Sequence, residues 1–289
     1  MRWVKKNIER FGGDKKRITV YGQSSGAASV ALHLVIPSSK ELFSKAIMES
    51  GAIASWAYGS LTRQEALSYQ IVHALGCDAY KNDASRIDCM RRQPAISVHN
   101  SDFQGQFDTW VPTIDGSFLP QDPNLLLFAG QFHKVPIIIG TNQNDSNTVY
   151  GVLKNATSVF PYIEAYFGVT VSEAICQLYN TSTYATPYSA AEAIANDFIF
   201  VCPARRMAKA FADCGLPVYS YFYTYVLDAF KSNPFVGTFH QQEQIFLFNA
   251  PNGTNVDTIK HVTFTQAEKE FFLPLFQYYW YDKKKLVYI

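Results

Sequence analysis

Residues 17–35 read RITVYGQSSGAASVALHLV. Arg17 to Tyr21 is β-branched and alternating, which predicts a strand, and Ala27 to Val35 is a helical apolar run that Pro37 closes. Between them, Gly22-Gln23-Ser24-Ser25-Gly26 matches G-x-S-x-G, the turn that carries a serine on a tight strand-to-helix bend with its hydroxyl above the sheet. The glycines are needed because a β-carbon at either place would collide with the neighbouring strand or helix. The pattern requires a strand before it and a helix after it, and both are present. Ser24 is therefore the candidate nucleophile.

Working outward, Val4, Ile8 and Phe11 recur at helical spacing and Gly12-Gly13 ends that helix, so a helix begins at the first residues. Val135 to Ile139 is a continuous apolar strand of the kind buried on both faces of a parallel sheet, and Pro217 to Val226 is a second long β-prone run. Helices are expected at Gln64 to Leu75, Ser172 to Tyr179, Pro203 to Asp213 and from Gln266 onward, where Thr265 and Glu268 fit a capping box. Strands alternating with helices define an α/β class. There is no internal repeat, low-complexity tract or linker, so residues 1–289 form one domain.

Composition excludes several functions. Lys plus Arg number 25 against 24 for Asp plus Glu, so no strong field marks a nucleic-acid or anionic-membrane partner. The chain is 48% hydrophobic and 17% charged, which is far from disorder. No run approaches the roughly 18 apolar residues of a membrane span, and Met1 to Lys6 lacks the apolar core of a signal peptide. Secretory features are nevertheless present: Asn-x-Ser/Thr triplets begin at Asn144, Asn155, Asn180 and Asn252. Cys77 and Cys89 flank the polar stretch Asp78 to Asp88, a surface loop that a disulfide closes unless both thiols are free. Cys176, Cys202 and Cys214 leave an odd total.

A serine at neutral pH needs a base and an orienting acid, which in this kind of sheet follow in the chain order Ser, Asp/Glu, His. His33 lies more than two turns along the helix after Ser24, too far to bend back. His73 sits in an apolar helical stretch, His99 in a polar loop, and His133 at the wrong end of its strand. His240 falls in the loop after the second long strand, where catalytic groups of such sheets collect, with His261 a weaker competitor. Asp145 is the one carboxylate in the loop leaving Val135 to Ile139. Alone it suits a turn residue bonding its own backbone; its place after a strand, between Ser24 and His240, makes it the acid candidate.

The stretch from Trp3 to Gly51, with WVKKNIERFGGDKKRITVYGQSSG, LVIPSSKELFSKAIMESG, and later Pro112 to Gly116, Val135 to Asn142, Phe200 to Arg205 and Gly237 to Glu243, resembles the type B carboxylesterase and cholinesterase family. The resemblance implies a partial α/β-hydrolase fold with a mostly parallel central sheet flanked by helices. It implies a carboxylic ester hydrolase working through an acyl-enzyme, with Ser24 as nucleophile, His240 as base and acid, and Asp145 as triad acid. It further implies that the Ser25 amide is an oxyanion donor, that Cys77 pairs with Cys89, and that Trp56 lies near the acyl pocket. No metal or organic cofactor is expected, and the partner is a small-molecule ester.

Departures shape the expectation. Gln23 stands where the family carries Glu, removing a charge that would favour a cationic choline ester, and Asp145 is one methylene shorter than the usual Glu. In the family a long segment precedes the Trp3 helix and supplies central strands and the glycine-rich oxyanion loop, and Cys202 resembles a cysteine paired further toward the C-terminus. The domain is therefore expected to be incomplete, a fragment of a secreted glycoprotein esterase running from the nucleophile elbow to near the C-terminal helix. The competing expectation is a noncatalytic or catalytically crippled cholinesterase-like module used for adhesion or ligand binding, since each lost oxyanion donor typically costs about 10²–10³ in turnover.

Overall fold

The computed structural model describes residues 1–101, 110–147, 164, 168–232, 236–249 and 263–274. Its centre is a parallel sheet of four strands in the order β1-β2-β5-β6, with β1 at Thr19–Gln23, β2 at Lys45–Glu49, β5 at Ile137–Asn142 and β6 at Val218–Tyr223. A short pair, β3 (Gly59–Ser60) and β4 (Thr113–Ile114), stands apart from it. The α/β class is as expected, and in this sheet every described strand pair is parallel.

The described α-helices are α1 (Arg2–Asn7), α2 (Ser25–Val35), α3 (Leu61–Ala74), α4 (Asp83–Arg92), α5 (Ala95–Asn100), α6 (Pro123–Phe128), α7 (Val169–Leu178), α8 (Pro187–Asn196), α9 (Cys202–Asp213) and α10 (Gln242–Leu247), and a π-type helix at Glu268–Phe272 is the last described. One face of the sheet packs Met48, Ile137 and Ile139 against Leu34 of α2, Leu127 of α6, and Met207 and Phe211 of α9. Phe211 is wholly buried and stacks on Phe132 at 4.1 Å between ring centroids. A second cluster of Tyr223, Leu227, Phe239, Ile245, Phe246 and Phe264 lies around α10.

Several elements depart from expectation. Strand β5 starts two residues late because Val135 turns back onto the carbonyl of His133 and Pro136 has no N–H to give the ladder. It runs on through polar Thr141 and Asn142, whose backbones pair with Phe222 and Tyr223. The apolar stripe of α1 is not buried, and Phe11 is 71% exposed. Strand β2 was not expected: KAIME reads as helix-forming, and pairing on both edges overrides that preference. Cys77 and Cys89 are joined, but the stretch between them is not a loop; it holds a helical turn and most of α4. His99 lies on α5, not in a loop. The capping box at the last described helix is present, with Thr265 N donating to Glu268 Oε2 at 2.8 Å and Glu268 N to Thr265 Oγ1 at 3.3 Å.

From α8 to α9 the chain continues as helix through a wide, π-type turn at Asp197–Val201. Pro203 explains it: proline cannot donate to the carbonyl four residues earlier, Ile199, so the helix loosens there. The indole Nε1 of Trp56 donates to that carbonyl at 3.0 Å and ties the turn to the segment that follows β2.

Candidate active site

Strand β1 delivers Gln23 and Ser24 at its C-terminal end, and α2 starts at Ser25. Ser24 has φ 56° and ψ −123°, a conformation that costs an ordinary residue about 1–3 kcal/mol. Its N–H donates to the Glu49 carbonyl at 2.9 Å, and its carbonyl accepts from Ala28 N at 2.9 Å, so β2 and α2 hold the bend. A β-carbon on Gly22 would lie 2.2 Å from the Gly26 carbonyl oxygen, which is why the bend needs glycine there; at Gly26 the expected clash is absent, since a β-carbon would meet nothing within 4 Å. Ser25 is the first helical residue, so its N–H is among the donors that a helix start leaves unpaired.

Asp145 and His240 come together in the interior. His240 Nδ1 lies 2.7 Å from Asp145 Oδ1, and Asp145 Oδ2 accepts the Asn142 N–H at 2.7 Å. Asp145 is wholly buried and His240 is 9% exposed. The shorter Asp side chain reaches because the two loops are laced together. Asn144 N donates to Thr238 Oγ1, Thr238 N donates back to Asn144 Oδ1, both at 3.1 Å, and Asn144 pairs with Phe239. Gly237, at φ 53°, permits this approach, since a β-carbon there would stand 2.3 Å from Asn144 Oδ1. Asn196 Nδ2 adds bonds to the carbonyls of Asn142 and Gln143.

Ser24 and the His240 imidazole are neighbours through residue 23. Gln23 Nε2 lies 3.2 Å from His240 Nε2 and 3.5 Å from Nδ1. Among the described residues no hydrogen bond joins Ser24 Oγ to His240; the Gln23 amide takes that side of the ring. Phe200 packs against the imidazole at 5.0 Å between centroids, and Trp56 packs edge-on against Phe200. Trp56 thus lies one ring removed from His240. A cavity of about 580 Å³ lies elsewhere, lined by Phe128, Ile175, Tyr179, Phe198 and Arg206, and none of Gln23, Ser24, Asp145 or His240 faces it.

Sequence reasoning missed the polar shell. Asn142, Asn196 and Glu192 brace the Asp145 loop, with Glu192 Oε2 accepting from Asn144 Nδ2 at 3.0 Å and its carbonyl from Ser146 Oγ at 2.8 Å. Burial pushes the Glu192 carboxyl up to about 7, against the lowering effect of the Asn144 bond. Asn144 is a different kind of residue from the exposed Asn180, because both ends of its amide are used inside the loop. Asn155, Asn252 and His261 lie outside the described residues. Of the other histidines, His33 binds Ser39, His73 binds Asp78, and His133 packs on Phe43.

A strand-turn-helix bend carrying a serine on a parallel sheet, with a buried Asp–His couple in the loops after later strands, defines the α/β-hydrolase class. Comparison with known proteins agrees. The profile of the carboxylesterase family matches residues 1–281. The chain is 30% identical over 94% of its length to a cholinesterase of Mus musculus, covering 48% of that protein. It is 30% identical over 76% of its length to cholinesterase 2 of Branchiostoma lanceolatum, covering 72% of it. It is 29% identical over 93% of its length to acetylcholinesterase 1 of Caenorhabditis elegans, covering 48%. The chain belongs to the carboxylesterase family, and it spans about half the length of the mouse and nematode relatives.

Proposed function

We propose that the site is that of a serine esterase acting on small carboxylic esters with an uncharged alcohol part. The observation that carries this reading is the buried His240–Asp145 couple at 2.7 Å beside the strained bend of Ser24. In the proposed cycle Gln23 releases Nε2 of His240, which takes the Ser24 Oγ proton as Oγ bonds to the ester carbonyl carbon. Asp145 keeps the other ring proton on Nδ1 and stabilises the imidazolium. The Ser25 N–H donates to the oxyanion. On collapse the carbon–oxygen bond to the alcohol breaks and His240 returns its proton to the leaving oxygen. Water, deprotonated by His240, then releases the acid and regenerates Ser24.

Gln23 supports the preference for uncharged alcohols, since it places an amide rather than a carboxylate against the imidazole. The Cys77–Cys89 disulfide supports passage through an oxidising, secretory compartment. Turnover of p-nitrophenyl esters, with a burst of one acyl group per chain that Ser24→Ala abolishes, tests the reading. The Gln23 contact favours one second reading, a ligand-binding module in which Nε2 is permanently occupied; in that case the folded protein gives no burst.

A further inference from the structure

Below the nucleophile bend, between the sheet and α10, two carboxyl side chains unused by the proposed chemistry are buried together. Glu49 ends β2 and is wholly buried; its Oε2 accepts the Tyr21 hydroxyl at 2.8 Å and Gln244 Nε2 at 3.5 Å. Glu243, three residues beyond His240, is 1% exposed, and its Oε2 accepts Asn142 Nδ2. Gln244, the neighbour of Glu243 on α10, is the residue that reaches Glu49, so the two carboxyl groups are buried side by side, and the charge of Glu243 acts on Glu49. Each keeps its second oxygen, Oε1, buried with no donor among the described residues.

Two ionised carboxylates in this position would repel, and each would leave an acceptor stranded away from water. One proton removes both penalties, since a protonated carboxyl donates and its neighbour accepts. The titratable groups facing the pair are Tyr21 from β1, Tyr221 and Tyr223 from β6, Asp145 from the loop after β5, and His240. Burial raises both carboxyls above their ordinary range, helped at Glu49 by the charge of Glu243 and at Glu243 by that of Asp145.

We propose that Glu49 and Glu243 hold one proton between them, and that this acid–carboxylate pair is a positioning unit for the nucleophile, the imidazole and the acid. The inference rests on the serine-esterase reading for its effect on catalysis, though not for the shared proton. Its connections are short. The Glu49 carbonyl takes the Ser24 N–H at 2.9 Å, while Glu243 holds Asn142, whose N–H donates to Asp145 at 2.7 Å. The single negative charge of the pair lies on the His240 side and favours the imidazolium formed during attack.

Infrared spectra of the purified protein at pH 8, where Glu192 is ionised, test the proton directly. The account expects a protonated-carboxyl carbonyl band that shifts in D2O and disappears in both Glu49→Gln and Glu243→Gln. Absence of the band in the wild type, or its survival in both variants, overturns the proposal whether or not the variants fold well. Stability gives a second measure. The unfolded chain releases the proton in the ordinary carboxylate range and the folded chain keeps it, so the wild-type folding constant falls relative to Glu49→Gln as pH rises, by about tenfold per pH unit. Parallel profiles contradict the proposal.

The positioning role is read from the pH dependence of fluorophosphonate labelling at Ser24. Removing both carboxyls in the Glu49→Gln, Glu243→Gln double variant takes away the charge and moves the acid limb down by about one unit. Each single variant leaves one ionisable carboxyl and moves it by less than half as much. A single variant that moves the limb as far as the double one refutes a shared charge. If the wild type is not labelled at all while the band and the stability slope are found, the esterase reading fails and the proton pair stands.

Discussion

Replacing Asp145 by Asn separates an orienting acid from a turn residue. Both carboxylate oxygens are engaged: Oδ1 with His240 Nδ1 and Oδ2 with the Asn142 N–H, each at 2.7 Å. The Asn142 N–H can only donate, so the oxygen of an asparagine must stay on that side. Its amide NH2 then points at His240 Nδ1, which has to become an acceptor. The ring proton moves to Nε2, the position that must be free to take the Ser24 proton. Shape is nearly unchanged, but the imidazole is in the wrong tautomer and faces no negative charge. A substitution of this kind is expected to lower kcat by about 10⁴ while leaving KM within a few fold. The assay is steady-state hydrolysis of a p-nitrophenyl ester together with the rate of burst acylation, both of which should fall in parallel. Circular dichroism and the urea midpoint check that the fold persists. Hydrolysis within a few fold of wild type would refute the assignment and return Asp145 to the role of a turn residue.

Three further expectations follow from other residues. The Cys77–Cys89 bridge closes a loop of 12 residues, for which chain entropy gives about 3 kcal/mol; the double Ser variant should lose that much in urea unfolding, with early proteolysis in α4, and an unchanged midpoint would count against it. Glu192 keeps its proton to about 7 when folded and releases it near 4.5 when unfolded, so its contribution makes stability fall as pH rises between those values. Glu192→Gln should therefore recover up to about 3 kcal/mol at pH 7 relative to pH 4.5, and profiles of equal slope would contradict this. Gln23→Glu sets a carboxylate where the amide now meets His240 Nε2, which raises the imidazole and moves the acid limb of the pH–rate profile up by about one unit. The same variant should raise the kcat/KM ratio of choline esters over uncharged esters by about tenfold, and an unmoved ratio would remove Gln23 from the determinants of specificity.

Much of the fold was legible because its signals are local. At the bend a β-carbon on Gly22 would clash with the backbone of Gly26 a few residues on, while the clash expected at Gly26 is absent, and α9 carries its apolar stripe openly. Strand β2 was not legible, since nothing in Lys45–Glu49 reveals that strands will flank it on both sides. Ser24 was found from its motif, Asp145 and His240 from chain order and loop position, and the structure brings Asp145 to His240 at 2.7 Å. Their support was hidden. Glu192 and Glu243 look like ordinary surface carboxylates in sequence, and only the seating of α8 against the Asp145 loop and of α10 against the end of β6 buries them. The link from Pro203 through the freed Ile199 carbonyl to Trp56 spans 147 positions of chain, and no local pattern announces it.

The central claim is that Ser24 is an acylated nucleophile, and active-site labelling measures it most directly. The protein would be treated with a fluorophosphonate at neutral pH, digested, and the adduct mapped by mass spectrometry. The account predicts one adduct per chain, on the peptide containing Ser24, and none in Ser24→Ala. A folded protein with its Cys77–Cys89 bridge intact that takes up no label, or takes it up elsewhere, would contradict the account.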